Sequence, residues 1–410
     1  MKRKLLDKII EWSMCETNIP LLIKGARGVG KTYLIYNFAK EHYCSNLYFN
    51  FEQDYNVRNL FSSDCCQTLK NINSYFESNV DYNNTIIILD EFSQCNNVID
   101  FINNISVYSE KIRIICATSD VNNIEVDYTL NAVKELTLYP FDFEEFLIAT
   151  NNEWYAEAIR EHFQTNKPLP DIVHEELLDI FNNYMYIGGL PSVINEYVLM
   201  GSYINVSEKQ NLLTSSNLSD LRSKISDGEF IKVMSVYNTI ASQLMKENKK
   251  FQYSMIRKGA TRKIYENTIN YLCSTGYITK CNKIQDSQDD DSFKLYMNDV
   301  GILYSMSKSI YNEEFNKALI ENYVLQNLVS NNNNVTFWES KSQAKIDFIA
   351  EKGENLYAIE VKNGNNTRSK NYSIFKEFIP QNTGLIKIST KNFAYSKGVK
   401  YIPLYAVFCI

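Results

Sequence analysis

The stretch Pro20-Leu21-Leu22-Ile23-Lys24-Gly25-Ala26-Arg27-Gly28-Val29-Gly30-Lys31-Thr32 decides the fold. An apolar run enters a glycine-rich turn, and residues 25–32 satisfy G-x-x-x-x-G-K-[ST] at each fixed position. Glycines let successive backbone N–H groups turn toward an anion with no Cβ in the way. In that arrangement the amides of Gly25, Ala26, Arg27, Gly28, Val29 and Gly30 cradle phosphate. Lys31 reaches the β- and γ-phosphates, and Thr32 offers its hydroxyl to Mg²⁺. The helix expected from Thr32 to about Glu41 adds the positive end of its dipole. The pattern follows a strand and opens a helix, as a nucleoside triphosphate site requires, and ATP and Mg²⁺ are the expected cofactors.

Working outward, Leu5–Trp12 has the spacing of a short amphipathic helix, and Leu47–Phe51 that of a second strand. Thr85-Ile86-Ile87-Ile88-Leu89-Asp90-Glu91 is an uninterrupted apolar run that ends in two carboxylates. Such a run suits a central parallel strand covered on both faces. Asp90 at its carboxyl end is placed to hold the magnesium water shell, and Glu91 to act as general base on the attacking water. Ile112–Ala117 is a further buried strand with Ser119 just beyond it. Ser119 can touch the γ-phosphate or the attacking water; alternatively Ser119 or Asp120 caps a helix. Lys134–Leu138 completes the set. Alternating strands and helices predict a doubly wound parallel sheet with its site at the strand ends.

The whole chain of 410 residues has room for two to four domains. Its net charge of −6 hides an asymmetry: residues 1–230 carry 18 basic and 32 acidic side chains, residues 231–410 carry 24 and 16. A basic back half points to a phosphate-bearing partner. Nine cysteines without a C-x-x-C pair, and three histidines, assemble no zinc spacing. Reduced thiols in a cytoplasmic protein are expected. The basic start at Met1–Lys4 lacks the apolar core of a signal peptide, and no run reaches transmembrane length.

Four further segments, with the loop, carry a resemblance. The loop G-A-R-G-V-G-K-T, the strand end L-D-E-F, and Leu138–Leu147 (L-Y-P-F-D-F-E-E-F-L) are similar to the prokaryotic AAA-type ATPases with a C-terminal nuclease-like domain. Tyr186-Ile187-Gly188-Gly189-Leu190-Pro191 resembles that family's G-G-L-P signature, and Lys294–Gly301 (K-L-Y-M-N-D-V-G) follows in the same order. The resemblance implies an AAA-type ATPase core (residues 1–150), then a helical lid (151–225). An arginine common about eight residues before the proline of L-Y-P-F is Ala132 here. That departure leaves the identity of any arginine finger open, and a homo-oligomer would let a neighbouring copy supply one. The bland alternative for the glycine pair, a break between helices, is preferred.

Ser216–Gly228 reads as a polar linker. Residues 226–290 then suggest a winged helix: an apolar face over 231–244, a basic patch including Lys258, Arg262 and Lys263, a helix over 260–274, and a wing over 277–284. DNA is one expected partner of that patch; alternatively the winged helix faces protein only, since Asp286 and Asp289–Asp291 put negative charge at the wing tip.

Residues 291–410 hold the second constellation. Ala344–Ala350 and Asn355–Lys362 read as strands joined by a turn at Gly353. With the turn as centre, facing residue numbers sum to about 707, so Asp347 stands opposite Glu360, with Lys362 on the same face. Facing like charges repel unless a cation lies between them. Asp…Glu-x-Lys is also the signature of the PD-(D/E)XK nuclease fold, which the resemblance implies for this segment. There Asp347 and Glu360 would bind Mg²⁺, Lys362 would activate water, and Glu321 would add a carboxylate from a helix. Lys345 stands where the family commonly has glutamate. The expected architecture is therefore a P-loop doubly wound sheet with helical lid, a winged helix, and a nuclease-like α/β domain. The expected function is ATP hydrolysis coupled to nucleic-acid binding or cleavage. The alternatives are a nucleotide-dependent switch, or a protein-directed motor, whose nuclease-like domain only binds.

Overall fold

The computed structural model describes residues 1–77, 80–108, 111–119, 133–284, 291–307, 312–331, 334–340, 344–353, 355–362, 371–377 and 383–410. Ala132, Asp120, Asp286, Asp289 and Asp290, which figure in the sequence reading, lie outside these residues. The chain groups into two compact units. One comprises residues 2–139 and 274–276; the other comprises residue 1 and residues 140–273 and 277–410.

The first unit is built on strands β1 (Leu21–Lys24), β2 (Ser45–Asn50), β3 (Thr85–Asp90), β4 (Arg113–Thr118) and β5 (Lys134–Thr137). All pair in parallel, in the order β2-β3-β4-β1-β5. Every residue of β3 is buried, as expected of a central strand covered on both faces. Parallel pairing requires crossovers, and the helices Lys31–His42, Cys65–Tyr75 and Asn96–Tyr108 lie between successive strands. Phe49, Phe61, Leu89, Phe101 and Ile102 pack one core of this unit. The α/β class and the parallel sheet of a P-loop core are those read from the sequence.

The second unit begins with five helices: Phe143–Ala149, Glu153–Thr165, Asp171–Ile187, Pro191–Met200 and Val206–Lys224. The L-Y-P-F-D-F-E-E-F-L motif starts the first of them. Asp142 caps Glu145 N at 2.9 Å, and the Glu145 carboxylate returns to Asp142 N at 3.4 Å. The expected linker at Ser216–Gly228 is instead the end of a helix that runs to Lys224, and a new helix, Asp227–Leu244, starts at once. Polar composition misled here, because Asn217 and Leu221 are buried and Lys224 pairs with Asp220 at 3.0 Å one turn back.

Eight strands form the second sheet: β6 (Ile278–Lys283), β7 (Phe293–Met297), β8 (Asn334–Glu339), β9 (Lys345–Lys352), β10 (Asn355–Val361), β11 (Thr383–Ser389), β12 (Ala394–Ser396) and β13 (Val399–Pro403). Their order is β12-β13-β11-β10-β9-β8-β6-β7. The helix Arg262–Ser274 and the hairpin after it lie where the winged helix was read. However, β6 also pairs in parallel with β8, so the hairpin is the edge of the large sheet. β9 and β10 pair from Asn355↔Lys352 to Ile359↔Phe348, the register expected from a turn at Gly353.

Candidate nucleotide site and a carboxylate–lysine face

The parallel sheet brings the loop after β1, the end of β3 and the end of β4 to one edge. Gly25 leaves β1 so close to the neighbouring backbone that a Cβ would lie 2.3 Å from the Leu138 carbonyl oxygen. Gly30 precedes the loop helix with φ +95°, a conformation that side chains other than glycine resist. Lys31 is buried, and its Nζ donates to the Gly25 and Ala26 carbonyls at 2.8 and 3.2 Å. Burial pushes its ammonium pKa down, while Glu91 Oε1 at 3.6 Å opposes that. Arg27, on the loop, pairs with Glu52 at 2.8 Å, and Gly28 has φ +87°. Ala26 and Val29 are buried.

Asp90 is 1% exposed. Its Oδ2 accepts from the Thr32 hydroxyl at 2.7 Å and from the Tyr48 hydroxyl at 2.8 Å. Its Oδ1 is buried with no hydrogen-bond partner. Burial pushes this carboxyl pKa up. An orphaned carboxylate oxygen beside a threonine hydroxyl fits a hard divalent cation such as Mg²⁺, which favours oxygen ligands.

Glu91 has φ +52°, an uncommon backbone for a residue with a side chain. Its Oε2 accepts from both the N–H and the hydroxyl of Ser119 at 2.9 Å. Ser119 therefore grips Glu91 in this structure. Two contributors escaped the sequence reading. Tyr48 is one, although the β2–β3 register that sets Asn50 opposite Asp90 puts Tyr48 on the same face as Asn50. Arg3 is the other: buried, it donates to the Val29 carbonyl at 2.8 Å and the Tyr139 carbonyl at 2.6 Å. Nothing in the basic N-terminus distinguished it.

In the second unit, Glu321 projects from the helix Glu313–Ser330 and is buried. Its Oε1 accepts from Tyr296 at 2.7 Å and lies 3.2 Å from Lys294 Nζ, while Oε2 pairs with Lys249. The two lysines, among its neighbours, drive its pKa well down against the effect of burial. Asp347 on β9 accepts from Val361 N at 2.8 Å. Burial and then Glu321 push its pKa up. Glu360 on β10 is buried, with Lys387 at 3.4 Å and Lys362 at 3.6 Å. The expected carboxylates thus share a region, but each has lysine company. Among the described residues no group of three or more His, Cys, Asp or Glu side chains is arranged to hold a metal ion. The donor set as it stands does not fit Mg²⁺.

The two glycine motifs explain each other. Asp299 of K-L-Y-M-N-D-V-G is buried and accepts from Gly189 N at 2.6 Å and Ile302 N at 2.9 Å. A Cβ on Gly188 would lie 2.4 Å from Asp299 Oδ1. The role is structural, and Gly188–Leu190 separates two helices as preferred from the sequence.

The family model described as an AAA domain matches residues 17–147. With the parallel sheet and the loop geometry, this match supports an AAA-type P-loop ATPase fold for that segment. Two domains of unknown function, DUF8612 and DUF4143, match residues 178–312 and 316–407. An uncharacterized protein of Methanocaldococcus jannaschii is 25% identical, over 88% of this chain and 78% of its own length. Among solved structures, a Walker-type ATPase of Pyrococcus abyssi is similar with a TM-score of 0.49 and 16% identity, covering 74% of this chain and 95% of that one. The Drosophila ORC structure bound to DNA gives a TM-score of 0.30 and 12% identity, over 75% and 95% of the two chains. Among the described residues, no helix is long and apolar enough to cross a membrane.

Proposed function

We propose that the chain is a Mg²⁺-dependent ATPase whose first unit hydrolyses ATP and whose basic C-terminal segment binds nucleic acid. The observation that carries the ATPase reading is the orphaned Asp90 Oδ1, buried beside the Thr32 hydroxyl. Thr32 and Asp90 would hold Mg²⁺, which would supply charge neutralisation for the phosphates. Lys31 exchanges two neutral carbonyl partners for phosphate oxygens, a gain for a buried ammonium. The amides of residues 25–30 receive the phosphates. Glu91 accepts the proton of the attacking water, and Ser119 orients it.

The nuclease-like reading of residues 291–410 is supported by connectivity. A helix bearing Glu321 leads into antiparallel β8, β9 and β10, and β11 then pairs parallel to β10. Asp347 lies on the second of these strands, with Glu360 and Lys362 on or just after the third. The surrounding lysines favour binding over cleavage. Within residues 226–290, Arg262 is engaged by Glu266 at 2.7 Å and by Asp291, so the exposed Lys246, Arg257, Lys258 and Lys263 would carry the patch's DNA contacts. A homo-oligomer in which one copy supplies an arginine to the next remains our reading of Ala132.

ATP binding and turnover test the core of this. Lys31→Ala should abolish binding of a fluorescent ATP analogue. Glu91→Gln should keep binding and slow hydrolysis by about 10²–10⁴-fold. Wild-type turnover in Glu91→Gln would remove the general-base assignment.

A further inference from the structure

Five lysines surround the three carboxylates that the sequence marks as metal ligands. Lys249 and Lys294 hold both oxygens of Glu321. Lys362 and Lys387 flank Glu360. Lys345 and Lys294 act on Asp347. With every group ionised, three negative and five positive charges leave this face at +2 before any ion arrives.

A divalent cation entering here would meet like charge, and would have to displace an ammonium from a buried carboxylate. Displacement leaves that ammonium uncompensated, which costs several kcal/mol in a buried setting. Tyr296 fills a further donor position on Glu321, at 2.7 Å. The coordination sphere of Glu321 is complete without metal.

The charge excess suits an anion. A cleft of about 700 Å³ opens over the Glu321 and Asp347 part of this face, where Lys249, Lys294 and Lys345 line it together with the acidic Glu247 and Glu339. Of the five lysines, Lys345 is exposed, and Lys362 and Lys249 keep 23% and 16% of their side chains accessible. Lys345 and Lys362 stand beside the carboxylates on strands β9 and β10, or just past the end of the latter. A phosphodiester laid along this edge would meet the ammonium groups of Lys345 and Lys362 beside carboxylates that already have lysine partners.

We propose that this face binds a phosphodiester backbone without a metal ion and does not cut it, Lys249 and Lys294 standing where a nuclease would hold its cation. The inference rests on the reading that the C-terminal segment binds nucleic acid, and it adds how.

The full-length protein is titrated into a fluorescein-labelled oligodeoxynucleotide, in EDTA and in Mg²⁺, without nucleotide. Binding in EDTA at least as tight as in Mg²⁺, falling with salt, is expected. The charge-reversed pair Lys345→Glu and Lys362→Glu should bind at least tenfold more weakly while ATP turnover without DNA is unchanged. Mn²⁺ titration followed by electron paramagnetic resonance should show no bound ion that Glu321→Gln removes. Binding that needs a divalent cation, cleavage that Asp347→Asn abolishes, or full binding by the charge-reversed protein would each overturn the proposal. Failure of wild type to bind any labelled strand, with ATP turnover intact, would instead remove the nucleic-acid reading on which it rests.

Discussion

Asp299 offers a measurement with a calculable size. Its carboxyl is 3% exposed, and burial raises its pKa from 3.8 to about 6, although Gly189, Ile302 and Gly301 N–H groups pull the other way. A group with a raised folded pKa contributes stability below its unfolded pKa of 3.8, and that contribution is lost as pH rises through about 6. The displacement corresponds to ~3 kcal/mol, most of it lost between about pH 4 and pH 7. Asp299→Asn keeps the shape and removes the titration. The amide presents one NH₂ where an oxygen accepted, so the variant carries a fixed penalty of about 1–3 kcal/mol at every pH. The fixed and titrating parts separate when wild type and variant are melted side by side across the pH range. The gap between their melting temperatures should close by roughly 5–10 °C from low pH to neutral, because only the wild type loses stability. A gap that stays constant with pH would mean that Asp299 ionises as an ordinary carboxylate, and that the polar contacts of Gly189 and Ile302 outweigh its desolvation.

Two further expectations concern the first unit. Ser119→Ala removes one of the two donors on Glu91 Oε2, and should lower ATP turnover about tenfold with nucleotide affinity unchanged. Equal loss of binding would place Ser119 on the phosphates instead. Tyr48→Phe removes a donor from Asp90 Oδ2 while leaving Thr32 in place, and should raise the Mg²⁺ concentration needed for half-maximal nucleotide binding severalfold. Binding measured in EDTA should not change; if it does, Tyr48 acts on the nucleotide rather than through Asp90.

Local pattern carried what local forces decide. The loop, the all-buried strand Thr85–Asp90 and the β9–β10 register were legible because each follows from spacing, apolar continuity or turn symmetry. The polar end of the helix Val206–Lys224 was not, since tertiary burial of Asn217 and Leu221 overrode composition. Nor was the union of β6 with β8, a pairing of strands more than fifty residues apart that no short window contains. The glycine motifs at 188–189 and at 301 were visible as signatures, yet their common cause, Asp299 held between them, needs the fold.

Asp90 and Glu321 show most sharply where sequence falls short. Both are carboxylates at nine-tenths burial or more, each in a stretch whose resemblance marks it as a magnesium ligand. Around Asp90 the donors are two hydroxyls on one oxygen, and the other oxygen is left without a hydrogen bond. A buried anionic oxygen so placed costs free energy until a cation meets it, so the site invites a metal ion. Around Glu321 two ammonium groups and a phenol already saturate both oxygens, and the same force closes the site. One of those ammonium groups, Lys249, comes from 72 residues earlier in the chain. The difference between the two chemistries therefore lies in which donors arrive from elsewhere in the fold, which the residues beside each carboxylate do not disclose.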